Sequence, residues 1–184
     1  MRASAPRAWG WHRLDSRWAE RIVEAAQIRP GELVLDIGAG HGALTIPLLR
    51  AGARVIAVER HAGRVARLKE RFADDPVTVV CADAADLRLP RRPFRVVANP
   101  PFAISAALLR SLLGPGSRMT AADLVLQRAV VARWTSPVAP GAGRWQRRYR
   151  SEPGLRLPRR AFVPPPRVDA AVLVLRGSIG SAGG

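Results

Sequence analysis

The most constraining feature of this chain is a series of short, uniformly apolar segments that alternate with segments of helical periodicity. The apolar segments have the length of β-strands and lie at 33–37, 54–59, 77–81, 94–98, 123–127 and 168–176. The predicted helices lie at 15–28, 42–50, 61–72, 105–113 and 128–134. Strands this apolar are buried on both faces, which happens when helices cover both sides of a parallel sheet. We therefore predict an α/β fold with a doubly wound, mostly parallel sheet.

The length of 184 residues is typical of one domain. We predict a single domain over residues 1–176, with a basic N-terminal arm at 1–14 and a flexible tail at 177–184. Residues 135–167 interrupt the α/β pattern, because they are rich in proline and arginine and contain Glu152 as their only acid.

The single cysteine, Cys81, excludes a disulfide framework and a cysteine-rich zinc site. Because it lies inside a predicted strand, we interpret it as a buried core thiol. The sequence has no apolar run of about 18 residues, the length that a membrane-spanning helix needs. We expect a cytoplasmic monomer with no membrane contact and no bound metal.

The charge is strongly unbalanced, with 30 basic against 14 acidic residues and a net charge of +16. Such a positive field favours a polyanionic partner, which indicates contact with nucleic acid. A GC-rich genome is a second explanation for the preference for arginine over lysine, but it does not account for the shortage of acids.

Ligands of doubly wound sheets bind at the carboxyl ends of the strands, so the residues that follow each predicted strand deserve inspection first. The first strand runs into Asp36-Ile-Gly38-Ala-Gly40-His-Gly42, where glycines permit a sharp turn and close approach of a ligand. The same pattern also fits a dinucleotide site, with Glu59 as the acid that binds ribose. A tight turn without any ligand is the third interpretation.

The next two strands end in acids. Glu59 could accept hydrogen bonds from both hydroxyls of a ribose, or it could be a surface acid paired with Arg60 or Arg64. Asp83 could accept from the exocyclic amine of an adenine, or it could cap a helix.

The fourth predicted strand ends in Asn99-Pro100-Pro101-Phe102. The prolines stiffen this loop, so that the Asn99 side-chain oxygen and the Pro100 carbonyl point in fixed directions. Such a pair of neutral acceptors suits an amino group on a conjugated ring, because accepting both N–H bonds frees the nitrogen lone pair for attack. Phe102 offers a flat face on which a base can stack. A nicotinamide enzyme has no use for this arrangement.

Together these motifs resemble the class I, Rossmann-like S-adenosylmethionine-dependent methyltransferases that act on amino nitrogen. A more specific resemblance is to the rRNA adenine N6-methyltransferases, and within them to the erythromycin-resistance (Erm) enzymes. Those enzymes methylate one adenine in the peptidyl-transferase loop of 23S rRNA and block the binding of macrolides, lincosamides and streptogramin B. The segments that carry the resemblance are 11–14, 36–45, 58–59, 82–83, 99–102, 104–105, 126–128 and 162–168.

The resemblance implies S-adenosylmethionine as cofactor, and 23S rRNA, free or in a partly assembled large subunit, as partner. The implied cofactor-binding positions are His12 and Leu14 closing over the cofactor, Asp36 orienting the glycine turn, Gly38 and Gly40 beside the methionine part, Glu59 at the ribose, Asp83 at the adenine amine, and Asn99. The implied catalytic positions, which would hold the target base, are Asn99 and Phe102.

The chain also departs from the Erm pattern. Trp11 and Arg13 replace the usual Gln and Phe, and Pro100 stands where Leu or Ile is more common. Typical members continue with a small helical domain that helps to grip RNA, whereas this chain stops soon after its last predicted strand.

We expect the stretch 135–167 to take over the role of that helical domain, through Arg147, Arg148 and Arg150. The N-terminal arm around Arg2, Arg7 and Arg13 is the alternative RNA-binding element.

Three other functions remain open on the sequence. One is a small-subunit rRNA dimethyladenosine methyltransferase, which belongs to the sister family. Another is a protein-glutamine or DNA-adenine methyltransferase, which the Asn-Pro-Pro sequence favours. The last is a non-catalytic RNA-binding module that kept the fold, which the retention of Gly38, Glu59 and Asp83 together argues against.

Overall fold

The computed structural model describes residues 12–178. Within them the strands are β1 (Arg13–Leu14), β2 (Leu33–Ile37), β3 (Arg54–Glu59), β4 (Val77–Cys81), β5 (Phe94–Ala98), β6 (Met119–Gln127), β7 (Tyr149–Leu157), β8 (Phe162–Val163) and β9 (Ala170–Gly177). The helices are α1 (Ser16–Ala26), α2 (Thr45–Arg50), α3 (Ala62–Arg71), α4 (Ser105–Leu112), α5 (Arg128–Trp134) and α6 (Ala142–Trp145). Short 3-10 turns occupy Phe102–Ile104 and Arg159–Ala161.

The central sheet has the strand order β4-β3-β2-β5-β6-β9-β7. The strands from β4 to β6 in this order are parallel to their neighbours, whereas β9 is antiparallel to both β6 and β7. A separate antiparallel ribbon joins β1 to β8. The predicted doubly wound, mostly parallel sheet is therefore confirmed.

Successive residues of the central strands face different cores, as expected for a sheet covered on both sides. Val34 belongs to the core that contains Ile22 of α1, Leu48 of α2 and Leu68 of α3. Its neighbour Leu35 belongs to the other core, which contains residues of α4, α5 and α6. The helices are thus divided between the two faces. The carboxyl ends of the parallel strands lie together at one end of the sheet, where they are left open.

The second helix begins three residues later than predicted. The glycine turn after β2 continues to Leu44, and α2 starts at Thr45. Pro47 lies in the first turn of α2, where a backbone N–H has no partner within the helix, so the proline does not interrupt hydrogen bonding.

The interpretation of 135–167 as an interruption of the α/β pattern is wrong. This stretch contains α6 and β7, and β7 pairs with β9 along most of its length. Arg148, expected to contact RNA, instead donates to the carbonyls of Gly114 and Ser117 at 3.0 and 2.7 Å. It therefore holds the start of β7 against the loop before β6.

The interpretation of Cys81 as a core thiol is also wrong, because the residue is exposed. It ends β4, which is an edge strand of the central sheet and is only partly covered. The periodicity of an apolar segment does not reveal whether its strand is central or at an edge.

The ends of the chain lie largely outside the described residues. Of the basic arm at 1–14, residues 1–11 fall outside, whereas 13–14 form β1. Of the predicted tail at 177–184, Gly177 is instead the last residue of β9 and pairs with Tyr149, and residues 179–184 lie outside the described residues. No helix within 12–178 is long and apolar enough to cross a membrane.

Candidate active site

A cleft opens at the carboxyl ends of β2 and β5. Its lining contains predicted site residues from three separate parts of the sequence. These residues are Leu14, Asp36, Gly38, Gly40 and Asn99, and Arg13, Ala39, His41, Ala43 and Leu44 complete the lining. The lining thus brings together the start of the chain, the glycine turn and the Asn99 loop.

The glycine turn needs glycine at Gly38 and Gly40, whose φ angles are +79° and +59°. A Cβ atom on Gly38 would lie 3.4 Å from Pro100 Cα and from Pro101 Cδ. Glycine therefore also permits the turn after β2 to pack closely against the loop after β5. This contact brings the turn and Asn99 together in the lining of one cleft.

Asp36 is buried beneath the turn and accepts a hydrogen bond of 2.7 Å from the Thr45 hydroxyl at the start of α2. Burial raises the pKa of Asp36 to about 7, against the opposing effect of hydrogen bonds from Thr45, and the nearby charge of Glu59 raises it further. Asp36 thus joins the end of β2 to the start of α2, across the glycine turn that lies between them. This position is consistent with orienting the turn.

Glu59 is 5% exposed, so the interpretation as a surface acid is wrong, although it does lie 3.7 Å from Arg64. Its Oε2 atom accepts from the Gly40 N–H at 2.9 Å, and Oε1 accepts from the His61 N–H at 2.8 Å. A carboxylate offers about four acceptor positions, so these two bonds leave capacity for the hydroxyls of a ribose. Glu59 also fixes the turn that lines the cleft.

Asp83 follows β4, beside the end of β3, where the Ala82 N–H donates to the Glu59 carbonyl at 3.2 Å. Its Oδ1 atom accepts from the Ala85 N–H at 3.0 Å, and Oδ2 lies 3.3 Å from Arg60. The first bond closes a local turn that no helix follows, so the interpretation as a helix cap is wrong. The half-buried carboxylate is placed next to Glu59, outside the lining of the cleft.

The side-chain amide nitrogen of Asn99 donates to the His12 carbonyl at 2.9 Å. This bond uses the nitrogen, so the amide oxygen points the other way and is the atom that can accept from an amino group. The His12 ring bonds to the Pro164 carbonyl at 2.8 Å through Nδ1, and its centre lies 6.1 Å from that of Phe102. His12 thus touches both residues predicted to hold a base.

The β1–β8 ribbon fixes His12 in this position. Leu14 pairs with Phe162, and Arg13 pairs with Val163. The Asp15 N–H donates to the Ala161 carbonyl at 2.8 Å, which continues the pairing to the start of α1. The segment 162–168 had no role assigned from the sequence, and the structure shows that it holds residues 12–14 through the β1–β8 pairing and the Pro164 carbonyl.

Sequence reasoning missed three residues that shape the site, which are Thr45, Phe162 and Pro164. Thr45 had a detectable signal, since a hydroxyl at the start of a helix after a glycine turn can reach back to the strand end. Phe162 and Pro164 act through pairing with residues about 150 positions earlier, for which a single sequence has no local signal.

The mouth of the cleft is electrically positive. Partial burial lowers the pKa of His41, and the positive charges of Arg64, Arg67 and Arg13 lower it further. Among the residues described, no group of His, Cys, Asp and Glu side chains could hold a metal ion. Glu59 and Asp83 stand at the ends of neighbouring strands, where their carboxylates could accept from the hydroxyl and amino groups of an organic cofactor.

Comparison with solved structures defines the fold class. The crystal structure of the 23S rRNA methyltransferase ErmE matches with a TM-score of 0.81 and 29% identity over 92% of this chain and 70% of that chain. A dimethyladenosine transferase from Plasmodium falciparum matches with a TM-score of 0.77 and 24% identity, over 90% of this chain and 62% of that one. The fold is that of the Rossmann-like S-adenosylmethionine-dependent methyltransferases.

The family model of ribosomal RNA adenine dimethylase matches residues 13–179. The chain therefore belongs to the ribosomal RNA adenine dimethylase family.

Two relatives show how much of this chain the similarity covers. Ribosomal RNA small subunit methyltransferase A of Ralstonia nicotianae is 36% identical over 171 residues, which cover 87% of this chain and 60% of the relative. An rRNA methyltransferase of Streptomyces thermotolerans is 36% identical over 170 residues, covering 88% of this chain and 55% of the relative. The chain thus spans little more than half the length of these proteins.

Proposed function

We propose that this protein transfers a methyl group from S-adenosylmethionine to N6 of an adenine in ribosomal RNA. The observation that carries the proposal is the orientation of Asn99, whose amide nitrogen is held by the His12 carbonyl at 2.9 Å beside the cleft. An amide oxygen fixed in this way suits an amino group as its partner. Membership of the ribosomal RNA adenine dimethylase family supports the same reaction.

Five of the residues described above would contact the cofactor directly. Glu59 would accept from the ribose hydroxyls, and Asp83 from the amine of the cofactor's adenine. Gly38 and Gly40 would border the methionine part, and Leu14 would close the cleft over it. When bound, S-adenosylmethionine supplies a methyl group that its sulfonium already activates, so this chain needs no strong base.

The task of the remaining residues is to position the target amine. The Asn99 side-chain oxygen and the Pro100 carbonyl would accept its two N–H bonds, so that the nitrogen lone pair points along the line of transfer. Phe102 would stack on the adenine after it leaves the RNA helix. The amine would lose its proton to solvent after the methyl group has moved.

For the RNA, we propose 23S rRNA, free or in a partly assembled large subunit, with the target adenine in the peptidyl-transferase loop. The similarity to ErmE over 92% of this chain supports this choice. Methylation there would confer resistance to macrolides, lincosamides and streptogramin B. Small-subunit rRNA is the second candidate, because relatives named for the small subunit reach 37% identity.

Expression in a macrolide-sensitive bacterium tests both candidates. Primer extension along both rRNAs would locate a modified adenine, and mass spectrometry of the digested rRNA would count its methyl groups. The proposal expects modification in the peptidyl-transferase loop together with macrolide resistance, and neither with Asn99→Ala expressed at the same level. Modification confined to small-subunit rRNA would select the second candidate, and unmodified rRNA would refute the proposed reaction.

A further inference from the structure

The direction of β7 divides the arginines of the stretch 135–167 into two groups. Both β6 and β7 are antiparallel to β9, so they run in the same direction. Leu157 at the end of β7 and Gln127 at the end of β6 both pair with Ala170 of β9. The carboxyl end of β7 therefore lies at the same end of the sheet as the cleft. Arg147, just before β7, and Arg150, at its start, lie at the opposite end of the sheet, away from Asn99.

The arginines that follow β7 lie beside the cleft. Arg159 and Arg160 are exposed and form the turn before β8. Two residues further on, about 7 Å of extended chain at most, Phe162 pairs with Leu14, which lines the cleft. Residues 155–167 contain four arginines and no acid.

One of these arginines is already positioned. The Arg159 Nε atom donates to the Pro166 carbonyl at 2.8 Å, which fixes the plane of the guanidinium while its two terminal nitrogens can still donate. A guanidinium held in this way suits the paired oxygens of a phosphate. Arg13, on the strand that pairs with β8, extends the same charge to the lining of the cleft.

We propose that Arg159 and Arg160, together with Arg13 and Arg167, form a phosphate-binding surface for the RNA strand that carries the target adenine. This inference rests on the proposed function and adds the place where the RNA backbone binds. It replaces the expectation that Arg147, Arg148 and Arg150 grip RNA, since Arg148 is used inside the fold and the other two are remote from the site. The β1–β8 ribbon would then carry phosphate contacts on the same element that holds Asn99.

The test compares two double variants with the same change of charge. Arg159→Gln/Arg160→Gln alters the proposed surface, and Arg147→Gln/Arg150→Gln is the matched control at the opposite end of the sheet. Binding to an RNA hairpin copied from the peptidyl-transferase loop is measured by filter binding across a salt series. The first variant should bind about tenfold more weakly at 0.1 M salt, and its salt slope should fall by about 1.4–1.8. The control should keep the wild-type affinity within about twofold and the wild-type slope.

A charge-conserving variant, Arg159→Lys/Arg160→Lys, separates phosphate contact from local structure. It should keep the wild-type slope, because lysine still neutralises a phosphate. An unchanged slope in the Gln variant, or an equal loss in the Gln and Lys variants, would overturn the proposed surface. Wild-type protein that binds and methylates the hairpin would leave the proposed function standing in either case, whereas wild-type protein that does neither would refute the peptidyl-transferase loop as its target.

Discussion

The side-chain amide of Asn99 is oriented by the backbone carbonyl of His12, at 2.9 Å and across 87 positions of sequence. A backbone atom makes this contact, so it depends on the path of the chain rather than on the identity of residue 12. That path is set by the pairing of β1 with β8. The β1–β8 ribbon therefore determines which end of the Asn99 amide faces the cleft.

Asn99→Ala should lower the rate of methyl transfer by about two orders of magnitude, by analogy with the loss of one positioned hydrogen-bonding group in other active sites. The affinity for S-adenosylmethionine should change far less, because the amide acts mainly on the amine during transfer. Single-turnover kinetics and calorimetry measure the two quantities separately. A near-normal single-turnover rate would contradict the assigned role.

Asp83→Ala and Glu59→Ala should both weaken cofactor binding, by about 1.5–3 kcal/mol for the loss of a charged acceptor. They should differ in stability. Glu59 satisfies the N–H groups of Gly40 and His61 in a buried place, so its removal should also lower the free energy of unfolding. Asp83 is more exposed, and its removal should leave that free energy nearly unchanged.

Calorimetry with S-adenosylmethionine and urea denaturation distinguish these effects. Wild-type protein that binds no cofactor would favour the non-catalytic RNA-binding module. Wild-type affinity in both variants would show that the two carboxylates do not hold the cofactor.

Asp36→Asn should change how stability depends on pH. The folded protein holds the Asp36 proton up to a pKa of about 7, whereas the unfolded chain releases it near 3.8. Between these values the folded state binds more protons, so the free energy of unfolding falls as pH rises, at roughly 1.4 kcal/mol per unit for one group. The asparagine variant has no proton to release at this position, so its free energy of unfolding does not fall for this reason. Its stability relative to wild type should therefore rise between about pH 4 and pH 7.

Urea denaturation of both proteins at about pH 5 and about pH 8 measures the difference. Asparagine can still accept from the Thr45 hydroxyl, so the variant should fold. A constant difference between the two proteins at both pH values would show that Asp36 is already ionised at pH 5.

Asp123→Ala should destabilise the protein strongly, by about 3–5 kcal/mol. Asp123 is buried in β6, where Arg176 donates to both of its carboxylate oxygens at 2.8 and 3.0 Å and Arg95 lies 3.6 Å away. Its removal leaves the largely buried Arg95 with less compensation for its charge. Thermal or urea denaturation measures the loss.

The control for Asp123 is Glu20→Ala, which removes an ion pair of 3.1 Å with Arg50 at the surface. Exposed pairs contribute only about 0–1 kcal/mol. Equal effects of the two substitutions would show that the buried network around Asp123 contributes little to stability.

The sequence predicts the strands from β2 to β5 well and does not predict β7. The bounds of β2, β3, β4 and β5 agree with the prediction to the residue, because each is an apolar run with a glycine, a charged or a polar residue within two positions of its end. The sequence does not reveal β7, because its nine residues include two arginines, a proline and a glycine and it is stabilised by pairing with β9 rather than by its own hydrophobicity.

The same division applies to the site. Asp36, Gly38, Glu59 and Asn99 could be located because each lies within or directly after the last two residues of a strand, a position that topology alone brings to one end of the sheet. The β1–β8 ribbon could not be located, because nothing in residues 13–14 or 162–163 indicates that they pair.

The composition of β7 has a further consequence for the solubility of the protein. β7 is nine residues long and forms one edge of the sheet, and a long edge strand invites aggregation by pairing with a strand of another molecule. Pro153 offers no N–H for such pairing, and the register with β9 shifts between Pro153 and Arg156. The exposed Arg150 and Arg156 add repulsion between copies. The proline and arginine content of this strand thus protects the molecule from self-association.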